Sequence, residues 1–142
     1  MPTLKQALSL AKKAHNGQLD KAGESYISHP LRVMRSVETE AERIVAILHD
    51  VLEDTRYSIR DLQRMGYKDE IVAALDALTR RKGERYQRFI RRAGKNPLAR
   101  RIKIADLEDN MDIRRLKTLK SSDLRRLSKY HRAWLLLKEK SL

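Results

Sequence analysis

The sequence predicts an all-α fold in a single domain, a bundle of about seven to eight helices. Apolar residues recur at helical spacing along nearly the whole chain, and no segment has the strict alternation of a half-buried strand. A chain of 142 residues can bury one sizeable hydrophobic core but not two. Because no low-complexity tract or long linker divides the sequence, we expect residues 1–142 to form one domain.

Three helices are predicted in the first part of the chain. Thr3 can cap the first helix, which ends near Asn16 and Gly17. A loop of turn residues and charges follows over residues 18–28, and Pro30 suits the first turn of the second helix because its missing N–H costs nothing there. The third helix is predicted from Glu42 to about Glu53.

Five more helices are predicted in the remainder of the chain. Each is marked by apolar residues at helical spacing and by a cap, proline or glycine near its ends. They run from Ser58 to Gly66, from about Asp69 to Leu78, around Tyr86 and Ile90 to Gly94, from Asn96 and Pro97 past Met111, and from Ser121 or Ser122 through Trp134.

The net charge is +13, from 32 Lys and Arg against 19 Asp and Glu, so the protein should attract anions. Phosphorylated small molecules and nucleic acid both fit this charge. Nucleic acid is not favoured, because the chain has only one Phe, one Trp and five Tyr for base stacking. The absence of cysteine fits a reducing compartment, and no segment reads as a signal peptide or a membrane span. We therefore expect a cytoplasmic protein with no membrane partner.

The pair His49 and Asp50 is the most informative feature for function. It ends the apolar run of ERIVAILHDVLEDT, where a buried polar pair must be hydrogen-bonded, ion-paired or metal-bound. His29, in SYISHP, and Asp106, after the apolar segment IKIA, supply two more ligand types. Each alone has a structural alternative: a cap at a helix end for the pair, a surface or capping role for His29. Their combination favours one metal site.

Helical spacing adds two acids to this group. At this spacing His49 and Glu53 stack on one edge of the third helix, and Asp50 lines up with Glu53 and Asp54 on the next. These acids could position a water or take its proton. Imidazole and carboxylate ligands suit manganese, iron or zinc better than calcium, and the absence of thiolates argues against a structural zinc site. A metal that lowers the pKa of bound water and polarises a phosphoryl oxygen indicates hydrolysis.

Three segments carry a resemblance to a known family: AHNGQLDKAGESYISHP, AILHDVLEDT and IKIADLEDNM. In order and spacing they resemble the HD-domain superfamily, and within it the small alarmone hydrolases of the Rel/Spo homologue group, over residues 11–116. The resemblance implies an HD-type helical bundle that removes the 3′-diphosphate from a nucleotide such as ppGpp, using one Mn²⁺ per chain.

The resemblance also implies roles for individual residues. The family's metal ligands are matched by His29, His49, Asp50 and Asp106. Its water-activating acids are matched by Glu53 and Asp54. Its substrate contacts are matched by Lys21 and Asn110, and with less specificity by Thr79 and Lys103.

Departures from the family pattern lie where the base is expected to bind. Asp20 and Leu107 stand where the guanine-specific hydrolases usually have cations, Asp109 replaces a His or Tyr, and Asp112 replaces a frequent Arg. The substrate could therefore be ppGpp, ppApp or another nucleotide such as NADPH.

Two further classes of function remain compatible with the sequence beside the alarmone hydrolase. One is an HD-type phosphomonohydrolase or phosphodiesterase, and the second is a nucleotide-sensing or RNA-binding module without turnover. We expect no room for a synthetase domain and only structural roles for His15 and His131. The sequence does not predict an oligomeric state.

Overall fold

The computed structural model describes residues 1–139, and in this range the protein is all-helical, as predicted. Nine α-helices and one 3-10 helix follow one another along these 139 residues. Their bounds are α1 Leu4–Ala14, α2 Ser28–Arg35, α3 Glu40–Leu48, α4 Val51–Asp54, α5 Ile59–Arg64, α6 Asp69–Ala77, α7 Tyr86–Gly94, α8 Pro97–Asn110, the 3-10 helix Ile113–Arg115 and α9 Ser121–Lys138. Over the same residues, β-pairing is limited to one isolated bridge between Leu19 and Ser25.

Helix α3 is the centre of the main hydrophobic core. Its residues from Ile44 to Leu48 are all buried, which is the pattern of a helix covered by other helices on every side. It packs against α1, α2, α6 and α8. Because α2 and α8 also pack against each other, three helices that carry predicted site residues meet at one place.

The predicted third helix, Glu42 to about Glu53, is divided in the structure into α3 and α4, with His49 and Asp50 at the junction. His49 Nδ1 donates to the Ala46 carbonyl at 2.5 Å. In a continuous helix that carbonyl would accept the N–H of Asp50, so the imidazole competes with the helical hydrogen bond. Asp50 adopts φ −101° and ψ −2°, away from regular helical values. The helical stacking expected for the pair and the two acids therefore does not apply.

A second hydrophobic cluster joins α7, α8 and α9. Its buried members are Phe89, Ile90, Leu107, Ala133 and Leu137. Helix α8 thus lies between two cores, since its residues Ala99 and Ile102 belong to the main core. It ends at Asn110, slightly short of the predicted end past Met111, and the 3-10 helix follows. Across the described residues, no helix combines the length and the apolar character needed to cross a bilayer.

Glu42, in the first turn of α3, is a buried carboxylate that the fold satisfies fully. It accepts the backbone N–H of Thr39 at 2.8 Å and Arg101 Nη1 at 2.6 Å. Burial alone would raise the pKa of Glu42, but these hydrogen bonds outweigh it and hold the pKa at about 2, against a usual 4.5. The carboxylate therefore stabilises the fold in its ionised form.

We expect Glu42→Ala to lower the free energy of unfolding by about 1–3 kcal/mol at pH 7, since charge-assisted hydrogen bonds at a helix N-terminus are lost. A depressed pKa contributes stability above the unfolded value of 4.5 and loses it as pH falls towards about 2. Urea denaturation should thus show a smaller difference from wild type near pH 2.5. An equal difference at both pH values would contradict this account, and Glu40→Ala, exposed in the same turn, is the control.

Candidate metal centre

His29, His49 and Asp106 converge from α2, the end of α3 and α8. One ligand atom from each lies within 4.8 Å of the others, and all three residues are buried. The His29 Nε2 atom is 2.8 Å from Asp106 Oδ1, and the His49 Nε2 atom is 3.2 Å from the same oxygen. Two imidazole nitrogens and a carboxylate oxygen, with no thiolate, are a donor set that fits manganese, iron or zinc.

Asp50 lies beside these three residues. Its Oδ2 atom is 3.1 Å from His49 Nε2 and 3.8 Å from His29 Nε2. The hydroxyl of Tyr26 donates to this oxygen at 2.5 Å. The structure therefore brings all four predicted ligand residues together, and Tyr26 fixes the orientation of one of them.

The remaining ring nitrogens of both histidines are held by acceptors outside the cluster. His49 Nδ1 donates to the Ala46 carbonyl, and His29 Nδ1 donates to Asp109 Oδ2 at 2.6 Å. Asp109 in turn accepts two hydrogen bonds from the Arg32 guanidinium, at 2.8 and 3.1 Å. Acceptors on the far nitrogen fix the tautomer and the ring plane of metal-binding histidines. Both Nε2 atoms are consequently aimed at the same point.

The close approach of histidines and carboxylates shifts the pKa values of both. Burial works to lower the pKa of His49, but the charges of Asp50 and Asp106 outweigh it and hold the pKa well above its usual value. The nearby His49 holds the pKa of Asp50 at about 2, against the effect of burial. Protonation of the Nε2 positions competes with metal binding, so metal affinity should rise with pH.

The predicted acids Glu53 and Asp54 lie on α4, next to Asp50. Partial burial and the negative charge of Asp50 raise the pKa of both carboxyls. The Glu53 carboxylate accepts the backbone N–H of Arg80. A carboxylate of raised pKa beside a metal is suited to accept a proton from a bound water.

Lys21 and Asn110, two of the predicted substrate contacts, line a cavity of about 400 Å³ beside His29. Lys103 and Thr79 do not line it. Lys103 Nζ donates instead to Asp106 Oδ2 at 2.7 Å, and the Thr79 hydroxyl donates to the Leu75 carbonyl at 2.8 Å. The cavity is also lined by three cations and three carboxylates: Arg32, Arg115, Arg126, Asp20, Asp112 and Asp123.

Asp109 accepts from His29, as described above, and the other three departures from the family pattern have different surroundings. Leu107 is fully buried in the second cluster, because one residue after Asp106 on a helix points about 100° away from it. The expectation that Leu107 borders the base is therefore wrong. Asp20 lines the cavity and accepts the backbone N–H groups of Ala22 and Glu24, both at 2.9 Å. Asp112 also lines it, paired with Arg114.

Sequence reasoning missed Tyr26 and Asp109 as groups that orient ligands. Tyr26 was visible in the segment AHNGQLDKAGESYISHP, three residues before His29, whereas no local signal pointed to Asp109. His15, expected to be structural, is buried and bonds to Gln18 Oε1 at 2.8 Å. Gln18 in turn donates to the Asp54 carbonyl at 2.9 Å, which ties the loop over residues 18–27 to the end of α4.

Asp109→Ala is expected to weaken Mn²⁺ binding by about 10–100-fold, because His29 loses the acceptor that fixes its ring. Calorimetric titration of the metal-free protein with Mn²⁺ measures the change. Asp112→Ala is the matched control, since that carboxylate pairs with Arg114 and touches no histidine. Equal affinity in Asp109→Ala and wild type would show that His29 needs no such support.

The chain is similar in sequence to several known proteins. The chain is 32% identical over 140 positions to the bifunctional (p)ppGpp synthase/hydrolase SpoT of Escherichia coli K12, a match that covers 89% of this chain and 20% of SpoT. It is 28% identical over 120 positions to a guanosine-3′,5′-bis(diphosphate) 3′-pyrophosphohydrolase of Aquifex aeolicus, covering 76% of this chain and 17% of that protein. A GTP pyrophosphokinase of Streptomyces coelicolor is 30% identical to this chain over 121 positions, a match that covers 76% of this chain and 14% of that protein.

The chain thus spans a fifth or less of the length of these relatives. A solved structure of a metazoan orthologue of SpoT, described as hydrolysing ppGpp and acting in starvation responses, superposes with a TM-score of 0.79 at 22% identity. That match covers 99% of this chain and 89% of the other. No protein-family model matches the chain.

Proposed function

Because the chain is a homologue of the SpoT/Rel (p)ppGpp hydrolases and synthetases, we propose that it is a metal-dependent 3′-pyrophosphohydrolase. Its substrate is a hyperphosphorylated nucleotide such as ppGpp, from which it releases pyrophosphate. The observation that carries this proposal is the convergence of His29, His49 and Asp106 beside Asp50. Residues 1–142 act as one HD-type hydrolase domain.

The four ligand residues would hold one Mn²⁺, or another divalent transition metal. When bound, the metal would lower the pKa of a water ligand and polarise a phosphoryl oxygen. Either Glu53 or Asp54 accepts the proton of the attacking water, for which the raised pKa of each carboxyl suits it. Tyr26 and Asp109 keep Asp50 and His29 in position, and no residue needs to form a covalent intermediate.

The cavity beside His29 binds the nucleotide. Lys21 and Arg126 supply positive charge for its phosphates, and Asn110 connects the cavity to Asp106, to which it donates at 3.1 Å. The net charge of +13 serves substrate capture. Asp20 and Asp112 are carboxylates at positions where the guanine-specific hydrolases of the family usually have cations. For this reason ppApp and NADPH are candidate substrates beside ppGpp.

The test is a hydrolysis assay of the purified protein with Mn²⁺ and ppGpp, ppApp or NADPH, with products separated by chromatography. We expect pyrophosphate release from at least one alarmone. Glu53→Gln should lower kcat by at least about 100-fold, because the proton acceptor is lost while the metal ligands remain. Glu38→Gln, an exposed acid remote from the ligands in sequence, is the control.

Three results would contradict all or part of the proposal. Turnover of none of the three compounds by the metal-loaded protein would move the assignment to another phosphoester or to nucleotide sensing. Full activity of Glu53→Gln would remove that residue from the mechanism. Salt-sensitive RNA binding with no turnover would favour a nucleic-acid-binding module instead.

A further inference from the structure

A group of cations and aromatic rings lies beside the metal centre, between α7, α8 and α9. Lys129 Nζ is 4.5 Å from the ring centroid of Tyr86 and 5.4 Å from that of Tyr130. The guanidinium carbon of Arg80 is 5.7 Å from the centroid of Tyr86. Lys103 Nζ is 5.2 Å from the centroid of Phe89. We call Arg80, Tyr86, Lys103 and Lys129 the α7–α9 cluster.

The cluster holds positive charge that carboxylates do not neutralise. Over residues 1–139, neither Arg80 nor Lys129 forms a salt bridge, and Lys103 pairs with Asp106 alone. Partial burial lowers the pKa of Lys129, and so do the positive charges of Arg80, Lys103, Lys21 and Arg126. Like charges held this close repel one another, and an anion placed among them would relieve that repulsion.

Tyr86 provides a second, independent observation. Its hydroxyl oxygen is buried and has no hydrogen-bond partner in the described part of the chain. A buried hydroxyl without a partner destabilises the fold, so its retention needs an explanation. The charged groups around this hydroxyl include Lys103, Asp106 and Arg80. The hydroxyl is therefore a free hydrogen-bond donor, and Lys103 and Arg80 are the cations near it.

The cluster is connected to the metal centre at two points. Lys103 donates to Asp106 Oδ2 at 2.7 Å, and the backbone N–H of Arg80 donates to the Glu53 carboxylate. An anion in the cluster would consequently lie next to a phosphoryl group held over the histidines. Base stacking is a poorer use of these rings, because Lys129 and Arg80 already cover Tyr86.

We propose that the α7–α9 cluster is a subsite for a diphosphate group, with Lys129 and Tyr86 as contacts contributed by α9 and α7. The identity of the ligand rests on the proposed function. There, the diphosphate bound in the cluster is the one that leaves the nucleotide. The subsite itself requires only a compact polyanion and contains none of the four predicted metal ligands.

The test is calorimetric titration of inorganic pyrophosphate into the metal-free protein in EDTA. We expect Lys129→Ala to weaken binding by about 10-fold or more and Tyr86→Phe by a smaller factor, as for hydrogen bonds to a charged group. Arg125→Ala is the matched control, because it removes the same charge from an exposed position of α9 and should change affinity less than about 2-fold. Circular dichroism checks that each variant is folded.

The outcomes separate this proposal from the proposed function. Pyrophosphate binding that depends on Lys129, without alarmone turnover, would support the subsite and contradict the hydrolase. Alarmone turnover with pyrophosphate binding unaffected by Lys129→Ala and Tyr86→Phe would overturn the subsite alone. Equal losses in Lys129→Ala and Arg125→Ala would also overturn it, since they would indicate attraction by net charge only.

Discussion

Asp106→Asn is expected to abolish Mn²⁺ binding and to lower hydrolysis by at least about 1,000-fold, since a metal supplies several kcal/mol of transition-state stabilisation. Asp106 Oδ1 lies between the two histidines, 2.8 Å from His29 Nε2 and 3.2 Å from His49 Nε2. Asparagine keeps the shape and one acceptor oxygen but removes the negative charge. Two imidazoles and Asp50 alone would hold a divalent cation weakly.

Metal titration and the alarmone assay on the same preparation measure this effect. Because Lys103 is partly buried and its ion pair is with Asp106, the variant should also lose stability, so thermal unfolding must show that it is folded at the assay temperature. His29→Gln provides a second variant that leaves the Lys103 pair intact. Unchanged Mn²⁺ affinity in a folded Asp106→Asn protein would place the metal elsewhere.

Leu107→Arg is expected to lower the free energy of unfolding by at least about 3 kcal/mol, because it buries an unpaired guanidinium. Leu107 is fully buried and belongs to the cluster of Phe89, Ile90 and Leu137. The substitution restores the residue type common in guanine-specific hydrolases, yet it should not restore a contact to the base. Urea denaturation measures the loss.

Leu107→Met is the control, since a swap of similar volume in a core usually costs less than about 1.5 kcal/mol. A Leu107→Arg protein as stable as wild type, with a changed preference between ppGpp and ppApp, would contradict the buried position. It would also return this residue to base recognition.

The residues that could bind a metal could be predicted from the sequence, but the hydrogen bonds that hold them in position could not. A His and an Asp after a buried apolar run need partners, which is a local argument. The division of α3 from α4 depends on His49 Nδ1 reaching the Ala46 carbonyl, a choice that side-chain spacing does not reveal. The bonds of Tyr26 to Asp50 and of His29 to Asp109 join residues 24 and 80 positions apart.

The error at Leu107 arose from following the family pattern instead of the helix face. Ile104, Leu107 and Met111 are three and four residues apart, so they form an apolar stripe on α8. That stripe packs on the second cluster, whereas Asp106 faces the histidines. Helical periodicity alone would have assigned Leu107 to the core.

The most direct test of the metal centre is anomalous X-ray diffraction from crystals grown with Mn²⁺. The account predicts one strong anomalous peak per chain, within coordination distance of His29 Nε2, His49 Nε2 and the Asp106 carboxylate, with Asp50 beside it. A fully occupied Mn²⁺ at other residues, or these histidines still bonded to Asp106 at saturating Mn²⁺, would contradict it.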